Sequence, residues 1–276
     1  MSPSPDPDST SPDFRAVVTI LRAAGCVFAE DEARLLIADA STPAALADMV
    51  DRRVAGVPLE YILGWAEFCG LRITVDRGVF VPRRRTEFLV QQAAGLAVSA
   101  PAARSTPTRI PIVLDMCCGS GAVGVGVAAA VGQIQLHAAD IDPAAVRCAA
   151  GNVDALNGRV YLGDLYDALP VALRGQIDVL VANTPYVPTV EIGMMPPEAR
   201  LFEPSVALDG GPDGLDLQRR VAASAAEWLA PGGHLLIETS KRQAPSTLDV
   251  FRRAGLAARV ASSDELSATV VIGTRI

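Results

Sequence analysis

Residues 113–130 read VLDMCCGSGAVGVGVAAA, an apolar run that ends in a glycine turn and continues into small residues typical of a helix. Gly119, Gly121 and Gly124 match the pattern G-x-G-x-x-G, which lets the backbone approach a ligand closely. Asp140 follows about 20 residues later, at the end of the next apolar run, where a carboxylate can accept hydrogen bonds from ribose hydroxyls. The spacing favours an adenosine cofactor, either NAD or S-adenosylmethionine, over a glycine turn that only packs a helix on a strand.

The apolar runs on both sides of this turn predict the rest of the sheet. Helical patterns separate most of them, which is typical of an α/β fold with parallel strands. The last two runs are too close for a crossover helix, so the final strand should be antiparallel. We therefore expect a Rossmann-like sheet of about seven strands, formed by IPIVLDM, IQLHAAD, RVYLGD, IDVLVAN, GHLLIET, LAARVAS and ATVVIGT.

The residues before the sheet predict a smaller unit. Apolar residues recur at helical spacing from residue 14 onward, with Gly25 and Pro43 as breaks, so residues 14–69 should form a helical domain. The segments LRITVD and GVFVP alternate like two short strands and predict a connecting β-hairpin over residues 70–82. Residues 1–13 lack apolar periodicity and are expected to be a disordered tail. Residues 83–276 then form the cofactor-binding domain.

Composition excludes several classes of protein. No apolar run reaches the roughly 18 residues needed to span a membrane, and the first residues lack the pattern of a signal peptide. The 5 cysteines are odd in number and have no C-x-x-C spacing, so neither a disulfide framework nor a metal site is indicated. The net charge of −7 argues against a broad nucleic-acid surface. We expect a cytoplasmic protein with no membrane or sequence-specific nucleic-acid partner.

The stretch VLVANTPYVPT, residues 179–189, distinguishes the two cofactors. It places Asn183, Thr184, Pro185 and Tyr186 at the carboxyl end of a buried strand, where α/β sheets bind ligands. The Asn183 amide and the Thr184 backbone carbonyl can both accept hydrogen bonds from one planar NH2 group, and Tyr186 offers a flat face beside it. A dehydrogenase has no evident use for such a site. The stretch favours methyl transfer to a planar nitrogen over an ordinary proline-containing turn.

Several segments together resemble the HemK/PrmC family of protein glutamine methyltransferases. GVPLEYILGWAEFCGLRITVDRGVFVPRRRTEFLV is similar to the family's G-x-P-L-x-Y-I-x-G segment and P-R-P-E-T-E loop, and NTPY is similar to its N-P-P-Y. VLDMCCGSGA, AADIDPAAV, GDLYDAL and LAPGGHLLIET also match family segments.

The resemblance implies a class I S-adenosylmethionine-dependent methyltransferase that modifies a glutamine amide in a peptide chain release factor. The N-terminal helical domain would recognise that substrate, and Thr86 would border the methionine end of the cofactor. Asn183, Thr184, Pro185 and Tyr186 would hold the substrate amide. By the same resemblance the residues around the cofactor are Cys117, Gly119, Gly121, Asp140, Asp164, Leu165 and Asn183.

Three departures from the family pattern bear on substrate and activity. Thr184 stands where the family has proline, and Cys117 and Cys118 replace a Gly-Thr pair. Arg84 and Arg85 replace Pro-Glu beside the cofactor entrance. With Arg83 they form a basic run that is either a solvated loop or a grip on phosphate or an acidic partner.

Two other functions remain open at this level. Adenine also presents a planar NH2 group, which allows an adenine N6 methyltransferase. The departures at Thr184 and Cys117 allow an inactive S-adenosylmethionine-binding interaction protein. The acidic composition counts against the first, and the intact Asn183, Tyr186 and Asp140 count against the second.

Overall fold

The computed structural model describes residues 12–99 and 109–276. Its N-terminal part contains four helices: α1 (Pro12–Ala23), α2 (Ala29–Asp39), α3 (Pro43–Val54) and α4 (Leu59–Leu63). The Thr42 hydroxyl caps α3 by accepting the Ala45 N–H at 3.1 Å. The expected disordered tail is too long by two residues, because α1 already begins at Pro12, and the rest of it lies outside the described residues.

The hairpin predicted over residues 70–82 is wrong in its position, because the paired strands lie within residues 65–74. Strand β1 (Trp65–Phe68) pairs antiparallel with β2 (Leu71–Thr74) across a turn in which Cys69 and Gly70 both have positive φ. Residues 78–82 form no strand. Their backbone groups have other partners: the Val79 N–H closes a turn on Asp76, and the Val81 N–H donates to the Glu203 carboxylate at 3.2 Å.

The seven-stranded sheet is confirmed. Its spatial order is β5-β4-β3-β6-β7-β9-β8, and β9 runs antiparallel to both of its neighbours, as the short final connection predicts. The strands are β3 (Ile112–Met116), β4 (Gln135–Asp140), β5 (Arg159–Leu162), β6 (Ile177–Ala182), β7 (Leu229–Thr239), β8 (Leu256–Ser263) and β9 (Ala268–Arg275).

Helices cover both faces of the sheet, which explains why its central strands are apolar throughout. On one face α5 (Glu87–Ser99), α6 (Ala122–Val131) and α7 (Pro143–Val153) pack against β3, β4 and β6. On the other face lie α9 (Asp216–Trp228) and α10 (Ala244–Arg253). The short helix α8 (Pro197–Phe202) follows the carboxyl end of β6.

The chain reverses its direction of winding at β3. From β3 it proceeds to β4 and β5 on one side, and it then returns to place β6 on the other side of β3. Ligands of open α/β sheets bind at such a reversal, beyond the carboxyl ends of the strands. Met116 pairs with Ala182 in the parallel register, so the glycine turn and the NTPY stretch begin side by side.

No helix in residues 12–99 or 109–276 is both long enough and apolar enough to cross a membrane.

Candidate active site

A cavity of about 610 Å³ opens at the carboxyl ends of β3, β4 and β6. Nearly all the residues predicted to form the site line it, including those of the glycine turn and those of the NTPY stretch. Gly121 is the exception. The predicted residues that line the cavity are Thr86, Cys117, Gly119, Asp140, Asp164, Leu165, Asn183, Thr184, Pro185 and Tyr186.

The three glycines of the turn have different roles. Gly119 has φ of +54° and faces the cavity, where a side chain would meet only Phe80, at 3.9 Å. Gly121 has φ of +76°, and a Cβ there would lie 3.2 Å from Val153 in α7. A Cβ at Gly124 would meet side chains of β3 and β4, Asp115 and Leu136. Gly119 therefore leaves room for a ligand, whereas Gly121 permits the turn and close packing.

Asp140 has the geometry expected of a ribose-binding carboxylate. One carboxylate oxygen accepts the Gly119 N–H and the other accepts the Asp142 N–H, both at 2.9 Å. A carboxylate has about four acceptor positions, so each oxygen retains capacity for a hydroxyl donor. Burial raises the pKa of Asp140, and the two backbone donors oppose that rise. The backbone thus fixes both oxygens before any ligand binds.

Strained backbone lies on both sides of Asp140. Cys117 has φ of +57° and Leu165 has φ of +49°, and both line the cavity. Non-glycine residues adopt this conformation at a cost of about 1 to 2 kcal/mol, and they concentrate at functional sites. Beside Leu165, the Asp164 carboxylate pairs with Arg220 of α9 at 2.8 Å. Cys117 thus takes a conformation that glycine adopts more easily.

Asp115 is a cavity residue that the sequence reasoning missed. It is 1% exposed, and its carboxylate accepts the Gly124 N–H at 2.8 Å, which ties β3 to the start of α6. Burial raises the pKa of Asp115 to about 8, with a smaller contribution from the charge of Asp140. The signal was an acid inside the otherwise apolar run IVLDM.

The substrate end of the cavity contains polar groups without protein partners. No described residue forms a hydrogen bond with the Asn183 side chain or the Thr184 carbonyl, although both residues line the cavity. Thr184 itself is 1% exposed, and its hydroxyl is buried without a described partner. The Tyr186 carbonyl is held by the Gln243 side-chain amide at 3.0 Å.

Glu238, at the end of β7, lies behind this substrate end and was also missed. It is 2% exposed, and its carboxylate accepts the Tyr186 hydroxyl at 3.3 Å and pairs with Arg85 Nε at 3.3 Å. Burial raises the pKa of Glu238, against the opposing effects of hydroxyl contacts and the Arg85 charge. The hydrogen bond from the Tyr186 hydroxyl to Glu238 and the contact with Arg85 fix the position of the Tyr186 ring.

The Arg83–Arg85 run is not a uniform solvated loop. Arg83 pairs at 2.6 Å with Glu203, which is buried, while Arg84 is exposed and does not line the cavity. Arg85 lines the cavity and lies over the Tyr186 ring, 5.7 Å from its centroid. Arg83 thus forms an ion pair with a buried carboxylate, Arg84 faces solvent, and Arg85 faces the site.

Comparisons with known proteins agree with this geometry. A family model described as the methyltransferase small domain matches residues 102–195. A release factor glutamine methyltransferase of Geobacter sulfurreducens is 37% identical over 84% of this chain and 78% of its own length. The chain belongs to the release factor glutamine methyltransferase family.

A second relative is named for a different activity. The 4-amino-L-phenylalanine/4-methylamino-L-phenylalanine methyltransferase of Streptomyces pristinaespiralis is 34% identical over 89% of this chain and 82% of its own length. Among solved structures, a methyltransferase from Pyrococcus furiosus is similar with a TM-score of 0.53 at 13% identity, covering 75% of this chain and 89% of that one. That likeness shows the fold, a class I methyltransferase. The chain is thus similar in sequence both to release factor glutamine methyltransferases and to an amino-acid methyltransferase.

No group of three or more His, Cys, Asp or Glu side chains that could hold a metal ion occurs in the described part of the chain.

Proposed function

We propose that this family member transfers the methyl group of S-adenosylmethionine to the side-chain amide nitrogen of a glutamine in a peptide chain release factor. The observation that carries the proposal is the pair of free acceptors at the end of β6. Asn183 and Thr184, which follow β6, line the same cavity as Asp140 at the end of β4, and the end of β3 lies between them. Two acceptors beside a cofactor site are what a planar NH2 group requires.

The cofactor half of the cavity suits S-adenosylmethionine. Asp140 offers both oxygens to ribose hydroxyls, Gly119 leaves space for the ligand, and Asp164 with the Leu165 backbone would hold the adenine. The Asp140 carboxylate, which has no ion-pair partner among the described residues, also suits a ligand with a positive charge. S-adenosylmethionine supplies an electrophilic methyl group when it is bound.

The substrate half supplies orientation and charge stabilisation. An amide nitrogen is a weak nucleophile, and positive charge develops on its NH2 group as the methyl group is transferred. The Asn183 side-chain oxygen and the Thr184 carbonyl would each accept one hydrogen of that group, which orients the nitrogen and stabilises the charge. Tyr186 would lie against the planar amide, with its ring held by Glu238. No general base is needed before attack.

The N-terminal helical domain is assigned the recognition of the release factor. Helix α3 reaches the segment that follows the NTPY stretch, because Arg53 pairs with Glu198 of α8 at 3.2 Å and with Glu32 of α2 at 2.6 Å. The Tyr61 hydroxyl also donates to the Val79 carbonyl at 2.7 Å. A release factor bound by these helices would therefore contact a domain that itself contacts α8 and the cavity-lining residue Val79.

A second candidate function is methyl transfer to the amine of a free amino acid. The relative from S. pristinaespiralis supports it, since its similarity covers 89% of the chain, compared with 84% for the relative from G. sulfurreducens. The alternatives of an adenine N6 methyltransferase and an inactive binding protein have no comparable support.

Methyl-labelled S-adenosylmethionine tests the proposal directly. The protein is incubated with a purified release factor, with total RNA and with a mixture of free amino acids, and the labelled product is identified by mass spectrometry. We expect label on a glutamine side chain of the release factor, and we expect Asn183→Ala to abolish it. Label in RNA or only in free amino acids would contradict the proposal.

A further inference from the structure

Three arginines line the cavity, and they differ in how well they are paired. Arg83 is 2.6 Å from Glu203, and Arg220 is 2.8 Å from Asp164. Arg85 has only the longer contact of its Nε with Glu238, at 3.3 Å, and no described residue accepts a hydrogen bond from its terminal nitrogens. Half of its side chain is exposed, at 49%. Among the three lining arginines, Arg85 is therefore the one with both terminal nitrogens unpaired in the described part of the chain.

The position of Arg85 relates those donors to the reacting nitrogen. Its guanidinium carbon lies 5.7 Å from the centroid of the Tyr186 ring. Tyr186 lies two residues after Thr184 in the stretch assigned to the substrate amide. A group held by Arg85 would thus lie on the Tyr186 side of the site assigned to the substrate amide.

We propose that Arg85 determines substrate specificity by binding a carboxylate that lies next to the methyl-accepting nitrogen. The inference rests on the proposed methyl transfer and adds the charge of the substrate. A guanidinium matches a carboxylate through two parallel N–H donors, and Arg85 keeps its terminal nitrogens free for such a pair. The carboxylate comes either from an acidic residue close to the target glutamine or from the α-carboxylate of a free amino acid.

The contact with Glu238 does not by itself explain why an arginine stands at position 85, because it leaves both terminal nitrogens unpaired among the described residues. Glu238 is buried and already accepts the Tyr186 hydroxyl, and Arg85 reaches it only through Nε. The loop is similar to the family segment P-R-P-E-T-E, in which an acid stands at this position, so Arg85 reverses the charge at the cavity wall. A reversed charge at the wall selects a substrate of opposite sign.

The test compares matched substrates that differ only in the carboxylate. In one set of peptides, one Glu or one Met is moved through the positions that flank a single glutamine. The other set is 4-amino-L-phenylalanine and its methyl ester. It tests the α-carboxylate of a free amino acid as the group that Arg85 binds. Methyl transfer is measured as kcat/KM, and binding to the protein with S-adenosylhomocysteine is measured by calorimetry, so preference is observed even where transfer is slow.

We expect the wild type to prefer the carboxylate member of one set by about tenfold to a hundredfold, the range of a charge-assisted hydrogen bond. Arg85→Gln should bring that ratio close to one. Arg84→Gln is the matched control, because Arg84 is exposed and outside the cavity, and it should retain the wild-type ratio. The preference should also weaken at high ionic strength, since the pair is partly exposed.

Two results would overturn the inference: a wild type without preference in either set, or an Arg85→Gln variant that loses kcat/KM equally for charged and neutral substrates. The second result would mean that Arg85 only supports Glu238. If Arg85→Gln does not fold, the carboxylate preference of the wild type and its dependence on salt concentration decide whether the inference stands. Transfer to the Met peptide supports glutamine methylation whatever the ratio is. Transfer confined to 4-amino-L-phenylalanine refutes glutamine methylation and leaves the carboxylate preference standing.

Discussion

The two halves of the cavity differ in how their polar groups are satisfied. In the cofactor half, the backbone N–H groups of Gly119 and Asp142 already hold the Asp140 carboxylate, and the Gly124 N–H holds the Asp115 side chain. In the substrate half, the Asn183 amide and the terminal nitrogens of Arg85 have no described protein partner. The fold therefore organises the cofactor half by itself, whereas the substrate half is completed by what binds there.

Asn183→Ala should have the largest effect and should be confined to the substrate half. We expect turnover to fall by at least about a hundredfold, because the variant removes a preorganised acceptor that stabilises the transition state. The affinity for S-adenosylmethionine should stay within a few-fold of wild type. Single-turnover kinetics and calorimetry on the same preparation measure both quantities. Near-normal turnover would remove Asn183 from the mechanism.

Asp140→Ala should show the opposite pattern. We expect the affinity for S-adenosylmethionine to weaken by about 1.5 to 3 kcal/mol, the range for hydrogen bonds to a charged group. Turnover at saturating cofactor should be affected less than in Asn183→Ala. Calorimetric titration with S-adenosylmethionine decides, and NADH serves as the control ligand. Unchanged affinity in a folded variant, or tight NADH binding by the wild type, would contradict the assignment.

Asp115→Asn tests the buried acid behind the glycine turn. In the folded state the raised pKa of Asp115, about 8, keeps this side chain protonated, whereas in the unfolded chain it loses its proton near pH 4. Between these values the unfolded state binds fewer protons, so wild-type stability should fall as pH rises from about 4 to about 8.

The Asn variant lacks this contribution, so its free energy of unfolding should decline less steeply. Between pH 6 and pH 7 the difference should reach up to about 1.4 kcal/mol. Urea denaturation of both proteins measures it, and other buried carboxylates cancel because both proteins contain them. Equal pH dependence in the two proteins would show that Asp115 is ionised in the fold.

Thr184→Pro should have the smallest effect. No described acceptor receives the Thr184 N–H, and the Thr184 hydroxyl is buried without a described partner. The carbonyl remains in the variant, so methyl transfer should be retained. Stability should equal or exceed that of wild type by about 0.4 to 1 kcal/mol where the backbone already suits proline.

Thr184→Val is the matched control, because it removes the hydroxyl and keeps the backbone N–H. Thermal unfolding and methyl transfer are measured for both variants. A folded but inactive Thr184→Pro protein beside an active Thr184→Val protein would assign a role to the N–H. Loss of activity in both would assign the role to the hydroxyl.

The sequence by itself determined the sheet, the glycine turn and the NTPY stretch. These features depend on local patterns: apolar runs form buried strands, and glycines mark positions that need positive φ. Asp140 was also identifiable, because its distance from the turn reflects the length of one helix and one strand. The order of such elements along the chain restricts the α/β topology to a few choices.

Only the tertiary structure decided the partners of these residues. It placed Glu238 under Tyr186 and Arg85, although Arg85 and Glu238 are far apart in sequence. It showed that Gly121 packs against α7 instead of facing the cavity, and that the Val81 N–H donates to Glu203 instead of pairing in a strand. Such contacts form between segments distant in the chain, and local propensity contains no information about which distant group will occupy the available space or accept a given hydrogen bond.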